Sequence, residues 1–138
     1  MGYQHPDNET IVQALKDTKK IAVIGLSDKE YRTSYQIAKE MQDAGYRIIP
    51  VNPMVDQVLG EKAYDSLLDV KESFEMINVF RRSEHLPSLA EEAVKTDAKI
   101  FWAQQGVQDD EAYEYLKKHD FTVMMDMCLK VAHAVLMK

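Results

Sequence analysis

The chain alternates short, continuous apolar runs with longer segments in which apolar residues recur every three or four positions. The runs are Lys20–Leu26, Tyr46–Val51, Met76–Phe80, Ala98–Trp102 and Phe121–Met125. Short runs rich in Val, Ile and Phe, without polar alternation, predict strands buried on both faces. Helical spacing fills the intervals. Asp7 or Asn8 can cap a helix carrying Ile11, Val12 and Leu15. Tyr35, Ile37, Ala38 and Met41 place a second helix between about Thr33 and Ala44, stopped by Gly45. A third opens at Ser83 or Glu84 and carries Leu86, Leu89, Ala90, Ala93 and Val94. A fourth begins at Asp109-Asp110-Glu111, where carboxylates complement the helix dipole, and a last one covers Leu129–Leu136. Val58–Tyr64 predicts a turn with a short extended piece, and Asp65 or Ser66 can cap a small helical turn through Leu67, Leu68 and Val70.

Strands alternating with helices predict the α/β class: a Rossmann-like, doubly wound, five-stranded parallel sheet with helices on both faces. From the start of the first strand to the end of the second is about thirty residues, the size of a βαβ unit. There is no internal repeat, low-complexity tract or linker, so residues 1–138 read as a single domain. At 138 residues and 46% apolar content the chain can bury one sizeable core. No run approaches the roughly 18 apolar residues of a membrane span. The start of the chain has no apolar signal-peptide core, and the single Cys128 cannot form an internal disulfide; both fit a cytoplasmic setting. A net charge of −6 argues against a nucleic-acid binder but not against a small anion in a local basic pocket.

In open α/β sheets a ligand binds beyond the carboxyl ends of the strands, where the strand order reverses. If the first strand is central, the loops after the first and fourth strands, Gly25–Ser34 and Ala103–Val107, would flank that crevice. The ends of the second and third strands, Asn52-Pro53 and Arg81-Arg82, lie along the same edge. Gly25 permits a tight turn into Leu26, while Ser27, Thr33 and Ser34 bring hydroxyls to the N-terminus of the second helix, a natural seat for phosphate. Lys29, Arg32, Arg81 and Arg82 gather cations on this rim; each alone reads equally well as solvated surface charge, but adjacent guanidinium groups at a strand end suit phosphate oxygens. The dinucleotide fingerprint G-x-G-x-x-G is absent, since Leu26, Ser27, Asp28, Lys29 and Glu30 follow Gly25. Asn52-Pro53 stands where an NAD site carries its ribose-binding acid. These departures count against NAD and leave NADP or another nucleotide with a phosphorylated ribose.

Six separated motifs then occur in one order: Ala22-Val23-Ile24-Gly25-Leu26-Ser27, Arg32-Thr33-Ser34-Tyr35, Gly45-Tyr46-Arg47, Pro50-Val51-Asn52-Pro53, Val79-Phe80-Arg81-Arg82 and Trp102-Ala103-Gln104-Gln105-Gly106-Val107. Together they resemble the small bacterial CoA-binding proteins, which are similar to the N-terminal CoA-binding domain of the succinyl-CoA synthetase α subunit. The resemblance runs from about Asp7 to His133. It implies a Rossmann-like fold that holds coenzyme A or an acyl-CoA along the loop edge. By position, it implies that Gly25, Ser27 and Ser34 contact the diphosphate, with Leu26, Lys29, Arg32 and Thr33 in the same loop. It implies further that Val51, Asn52 and Pro53 lie against the adenosine, Arg81 and Arg82 near phosphate, and Gln104 and Gly106 along the pantetheine path. The chain departs from the family where Met127 stands between Asp126 and Cys128 in place of Arg, and where Ala132 rather than Glu precedes His133. It also lacks the second domain that supplies the synthetase's phosphohistidine, so ligase activity is not implied.

Cys128, His133 and Asp126 contain the residue types of a thiol nucleophile and its base, but a lone cysteine reads more readily as core packing than as a nucleophile or a disulfide partner of the CoA thiol. His5, His85 and His119 show no metal-ligand spacing. Trp102 reads either as core or as a ligand-stacking ring. The favoured function is therefore a stand-alone, non-catalytic CoA or acyl-CoA binding module. The alternative is a small NADP-dependent enzyme with its substrate beside Trp102 and Gln104. The sequence leaves open a protein partner and the oligomeric state.

Overall fold

The structure is a computed structural model that describes residues 2–138. Five strands form one all-parallel sheet: β1 (Lys20–Ile24), β2 (Arg47–Val51), β5 (Met76–Val79), β6 (Ile100–Ala103) and β7 (Thr122–Met124). Between β2 and β5 the chain makes a small antiparallel hairpin of β3 (Gln57–Val58) and β4 (Glu61–Lys62), then a single 3₁₀ turn at Leu67–Asp69. The helices are α1 (Asn8–Asp17), α2 (Thr33–Asp43), α3 (Leu86–Ala93), α4 (Asp110–Lys118) and α5 (Leu129–Leu136).

Both faces of the sheet are covered, which is why the strands read as unbroken apolar runs. Alternate strand residues point to opposite layers. Ile21, Val23, Ile48, Met76, Ile100, Trp102 and Met124 meet α1, α2 and α5 through Leu15, Ile37, Met41 and Leu129. Ala22, Ile24, Ile49, Ile77, Val79, Phe101 and Val123 meet α3 and α4 through Leu86, Leu89, Ala93 and Leu116. The fold is thus the doubly wound, Rossmann-like α/β architecture expected. Capping follows the sequence as well: the Asp7 and Asp109 carboxylates accept from the Thr10 and Ala112 N–H groups at 2.8 Å each.

One expectation is corrected. The strand order is β2-β1-β5-β6-β7, so β1 is flanked by the third long strand and not by the fourth. Every strand is equally apolar, and the sequence pattern carries no information about which takes the free edge of β1. The hairpin and the 3₁₀ turn return the chain from β2 to that edge, where Ile24 pairs with Val79. The order reverses between β1 and β5, with α2 leaving to one face and α3 to the other. Pro50, which has no N–H to donate, is tolerated because β2 is the outermost strand.

Two buried polar groups add cross-links, one within the sheet and one between sheet and helix. Asn78, 1% exposed in the middle of β5, donates its Nδ2 to the Trp102 carbonyl at 3.0 Å. The Tyr46 hydroxyl donates to the Leu15 carbonyl at 3.0 Å, and burial pushes its phenol above the ordinary range. The segment before α1, polar in the sequence, also docks. The Tyr3 N–H donates to Asp110 and the Tyr3 hydroxyl accepts the Met125 N–H at 2.8 Å. Burial raises the Tyr3 phenol too, and the Met125 bond offsets part of that shift.

At the amino-terminal end of the sheet, Glu72 accepts two bonds from the Arg47 guanidinium, at 2.9 and 3.0 Å, and lies 3.3 Å from Lys20 Nζ. The Arg47 bonds hold its carboxyl below the usual carboxylate range, with burial opposing and Lys20 assisting. A carboxyl depressed in the folded state contributes stability above its unfolded pKa and loses it as pH falls through the folded value. The urea stability of the wild type relative to Glu72→Gln should therefore be greatest near neutral pH and shrink on acidification. A difference that stays constant with pH would show that the ionised pair contributes nothing.

Candidate functional site

The reversal point sits where β1 and β5 end side by side. The Ile24 carbonyl accepts the Phe80 N–H at 2.9 Å, and the Gly25 N–H donates across to Val51 at 2.8 Å. Gly25 has φ +84°, and a Cβ placed on it would lie 2.9 Å from the Phe80 carbonyl oxygen and 3.3 Å from Arg81 Cδ. Both the turn and the close backbone approach require glycine here.

Beyond this contact opens a cleft of about 430 Å³. Ile24, Val51 and Pro53 form one wall, Leu67 and Leu89 another, and Arg81 enters from the β5 end. Asn52 fixes the rim: its Nδ2 donates to the Leu26 carbonyl at 2.9 Å and its Oδ1 accepts the Met54 N–H at 2.9 Å. Its own N–H donates to the Tyr64 carbonyl at 2.8 Å, which ties the strand end to the chain leaving the hairpin. The cleft combines apolar side chains with convergent polar groups, as small-molecule sites do, and its polar share is large. Among the sequence candidates, Gly25, Val51, Asn52, Pro53 and Arg81 come together here.

Asp65, Ser66 and Glu92 also line the cleft and were not singled out from the sequence. Leu89 and Glu92 sit one turn apart on α3, a spacing that marks a shared helix face but not what that face meets. Asp65 and Ser66 arrive through the return from the hairpin, for which the sequence pattern gives no position. The rim therefore carries carboxylates beside the Arg81 guanidinium, so its charge is mixed and not simply basic.

The remaining candidates form a second group around α2. Leu26 is fully buried and anchors the loop. Ser34, 8% exposed, accepts the Ser27 N–H at 3.0 Å, and Ser27 Oγ accepts the Lys29 N–H at 3.0 Å. This pair folds the loop over the start of α2, where Arg32 is the N-cap residue and no side chain caps the helix. The first turn thus presents its N–H groups outward, with Thr33 exposed beside them. Lys29 lies against Tyr31, Tyr35 and the hairpin turn Leu59-Gly60 in a neighbouring groove of about 560 Å³. The Arg32 guanidinium stacks 5.8 Å over the Tyr31 ring. Arg82 turns away from the cleft: its side chain is 86% exposed and its guanidinium lies 3.8 Å from Glu84.

A third group lies along the ends of β6 and β7. Gln104 is 6% exposed, its N–H donates to Val79, and its Oε1 accepts the Leu129 N–H at 3.3 Å. The Gly106 N–H donates to Asp126 Oδ1 at 2.7 Å, while the Asp126 N–H donates back to the Val107 carbonyl. Trp102 is fully buried and donates Nε1 to the Met127 carbonyl, so it is core and a loop anchor, not a stacking platform. His133 packs edge-on against Tyr46 at 5.5 Å, which directs its ring into the α1, α2 and α5 layer. Among the described residues no group of three His, Cys, Asp or Glu is placed to hold a metal ion, and no helix is long and apolar enough to cross a membrane.

A family model described as "CoA binding domain" matches residues 19–134. The chain is 54% identical to the Bacillus subtilis (strain 168) protein YneT, over 96% of this chain and 98% of that protein. It is 33% identical over 81 residues to the acetate–CoA ligase [ADP-forming] of Methanocaldococcus jannaschii, which covers 59% of this chain but only 12% of the ligase. Among solved structures, a hypothetical protein from Pyrococcus horikoshii OT3 superposes with TM-score 0.92 at 30% identity, covering 100% of both chains.

Replacing Gly25 by Ala forces a side chain into a left-handed backbone conformation, which costs about 1–3 kcal/mol before the contact with Phe80 is counted. Gly25→Ala should lower the urea midpoint accordingly and prise the β1 and β5 loops apart. An unchanged midpoint would mean that the two loops do not hold each other.

Proposed function

Because this chain belongs to the CoA-binding-domain family, we propose that it binds coenzyme A or an acyl-CoA at the carboxyl edge of its sheet, as a single-domain binding module without chemistry of its own. The observation that carries this reading is the junction at Gly25. The bare backbone there joins the adenosine-sized cleft on one side to the uncapped start of α2 on the other.

A nucleotide laid across that junction has its base and ribose between Val51, Asn52, Pro53 and Leu89. Its diphosphate meets the α2 N-terminus, with the Ser27 and Ser34 hydroxyls beside it. Helix N-termini suit such anions because their N–H groups are unpaired and the helix dipole favours negative charge. Arg81, at the mouth of the cleft, is the cation placed to meet a phosphate on the ribose. Gln104 and Gly106 lie along the edge towards β7, the direction left for the pantetheine arm. The mixed charge of the rim narrows the role of the basic pair to Arg81, since Arg82 faces solvent.

Calorimetric titration with CoA, dephospho-CoA, NADP and NAD tests this directly. CoA should bind with micromolar affinity, about −8 kcal/mol. Arg81→Ala should weaken CoA roughly tenfold, near 1.4 kcal/mol, and dephospho-CoA far less, while Arg82→Ala should leave both nearly unchanged. Equal losses for the two ligands would remove Arg81 from the phosphate. Binding of NADP in place of CoA would overturn the CoA assignment.

A further inference from the structure

We propose that Glu92 reads the base of the bound nucleotide: its carboxylate accepts a hydrogen bond from the exocyclic amine of an adenine ring. The inference rests on the CoA reading given above and concerns the base, which phosphate contacts cannot select.

The polar side chains that line the cleft are not equally available to a ligand. The Asn52 amide is engaged at both ends, donating to the Leu26 carbonyl and accepting from the Met54 N–H. The Ser66 hydroxyl donates to Asp69 Oδ2 at 3.2 Å. Asp65 is exposed, so water solvates its carboxylate. Glu92 differs from all of these. It is half-buried, and its carboxylate has no hydrogen bond or ion pair among the described residues. Arg81 lines the same cleft, yet the two opposite charges do not pair with each other. Partial burial strips water from a carboxylate, and a donor on a ligand restores what is lost.

The fold holds these charges at opposite ends of the slot. Arg81 follows β5 at the carboxyl edge, where its side chain lies against Gly25. α3 links two adjacent parallel strands, so it runs from that edge back towards the amino-terminal end of the sheet. Glu92 lies six residues beyond Leu86, the first residue of α3. At the helical rise this is about 9 Å further along the axis. Leu89, 7% exposed, lies between them, one turn nearer the edge. The order along the slot is therefore a cation, an apolar wall and a carboxylate.

An adenosine 3′-phosphate presents its groups in the matching order. The phosphate is at one end, a flat ring with apolar faces follows, and the amine is on the far edge of the base. The other donor of this nucleoside is the ribose 2′-hydroxyl, carried on the carbon beside the phosphate and so at the Arg81 end. Glu92 is thus placed for the base and not for the ribose. An ionised carboxylate only accepts, so it suits an amino group and repels a ring oxygen at the same position.

The test measures, by calorimetry, CoA and two CoA analogues, one with unsubstituted purine in place of adenine and one with 2′-deoxyribose. All three carry the same charge, so repulsion between Glu92 and the phosphates cancels in their ratios. Wild-type protein should bind CoA about tenfold tighter than the purine analogue, the scale of one hydrogen bond to a charged group. In Glu92→Ala, which keeps a good helix former in α3, that preference should fall below about twofold. Glu92→Gln, which keeps the shape without the charge, should lower it partway. The ratio of CoA to the 2′-deoxy analogue should not change in either variant. A preference for the amine that survives in Glu92→Ala would overturn the proposal. So would a change confined to the 2′-deoxy ratio, which would put the carboxylate at the ribose. Tighter CoA binding by Glu92→Ala with the ratios unchanged would show that the carboxylate only repels phosphate, and would overturn it as well. Wild-type protein that binds CoA and the purine analogue equally would overturn base reading and leave CoA binding standing. Failure to bind CoA at all would overturn the CoA reading and this inference with it.

Discussion

The approach of the Phe80 carbonyl to Gly25 is the constraint on which the edge of the sheet depends. Two parallel strands whose following helices leave to opposite faces must part at their ends, and the crevice between them is set by how closely the backbones can meet first. With glycine at position 25, the Phe80 carbonyl and the Arg81 side chain close against bare backbone. The Gly25 N–H still reaches Val51 on the other side. Three strand ends are thereby locked at one point, and the cleft, the loop over α2 and the position of Arg81 follow from it.

A second constraint holds the far half of the edge. Asp126, Gln104 and Trp102 cross-link the loops after β6 and β7 through backbone groups, so these loops are held to one another. A long ligand lying along the edge would meet two preformed sections, each fixed by its own hydrogen bonds. Preorganisation of this kind lowers the ordering cost of binding.

The relatives set the scale of this function. The matched region is only a small part of the M. jannaschii ligase, whereas YneT matches this chain almost end to end. The same layered module thus occurs both inside larger ligases and in proteins of this length. Near the cleft of the present chain the polar side chains shape loops or line a slot, and the chain's one cysteine is at the other end of the edge from Gly25.

Much of the architecture was legible in the sequence because two periodicities report burial directly. Unbroken apolar runs located all five long strands, helical spacing located all five helices, and Leu129–Leu136 matches α5 end to end. Gly25, Asn52 and Arg81 stood out because they interrupt apolar strands at their carboxyl ends, a feature that depends on chain order alone. Strand order was not legible, since Ile24, Val79 and Ala103 are interchangeable as apolar strand residues and only packing of the complete chain assigns their neighbours. For the same reason Asp65, Ser66, Leu89 and Glu92 could not be placed at the cleft: distant segments deliver them there. The environments of single side chains were likewise decided by tertiary structure. Whether Trp102 stacks or packs, whether Arg82 faces a ligand or solvent, and whether Cys128 is core or edge all depend on neighbours far along the chain. The sequence by itself determined which segments are buried and where the strands end; the tertiary structure decided which ends meet, because that is set by contacts between residues that no local pattern links.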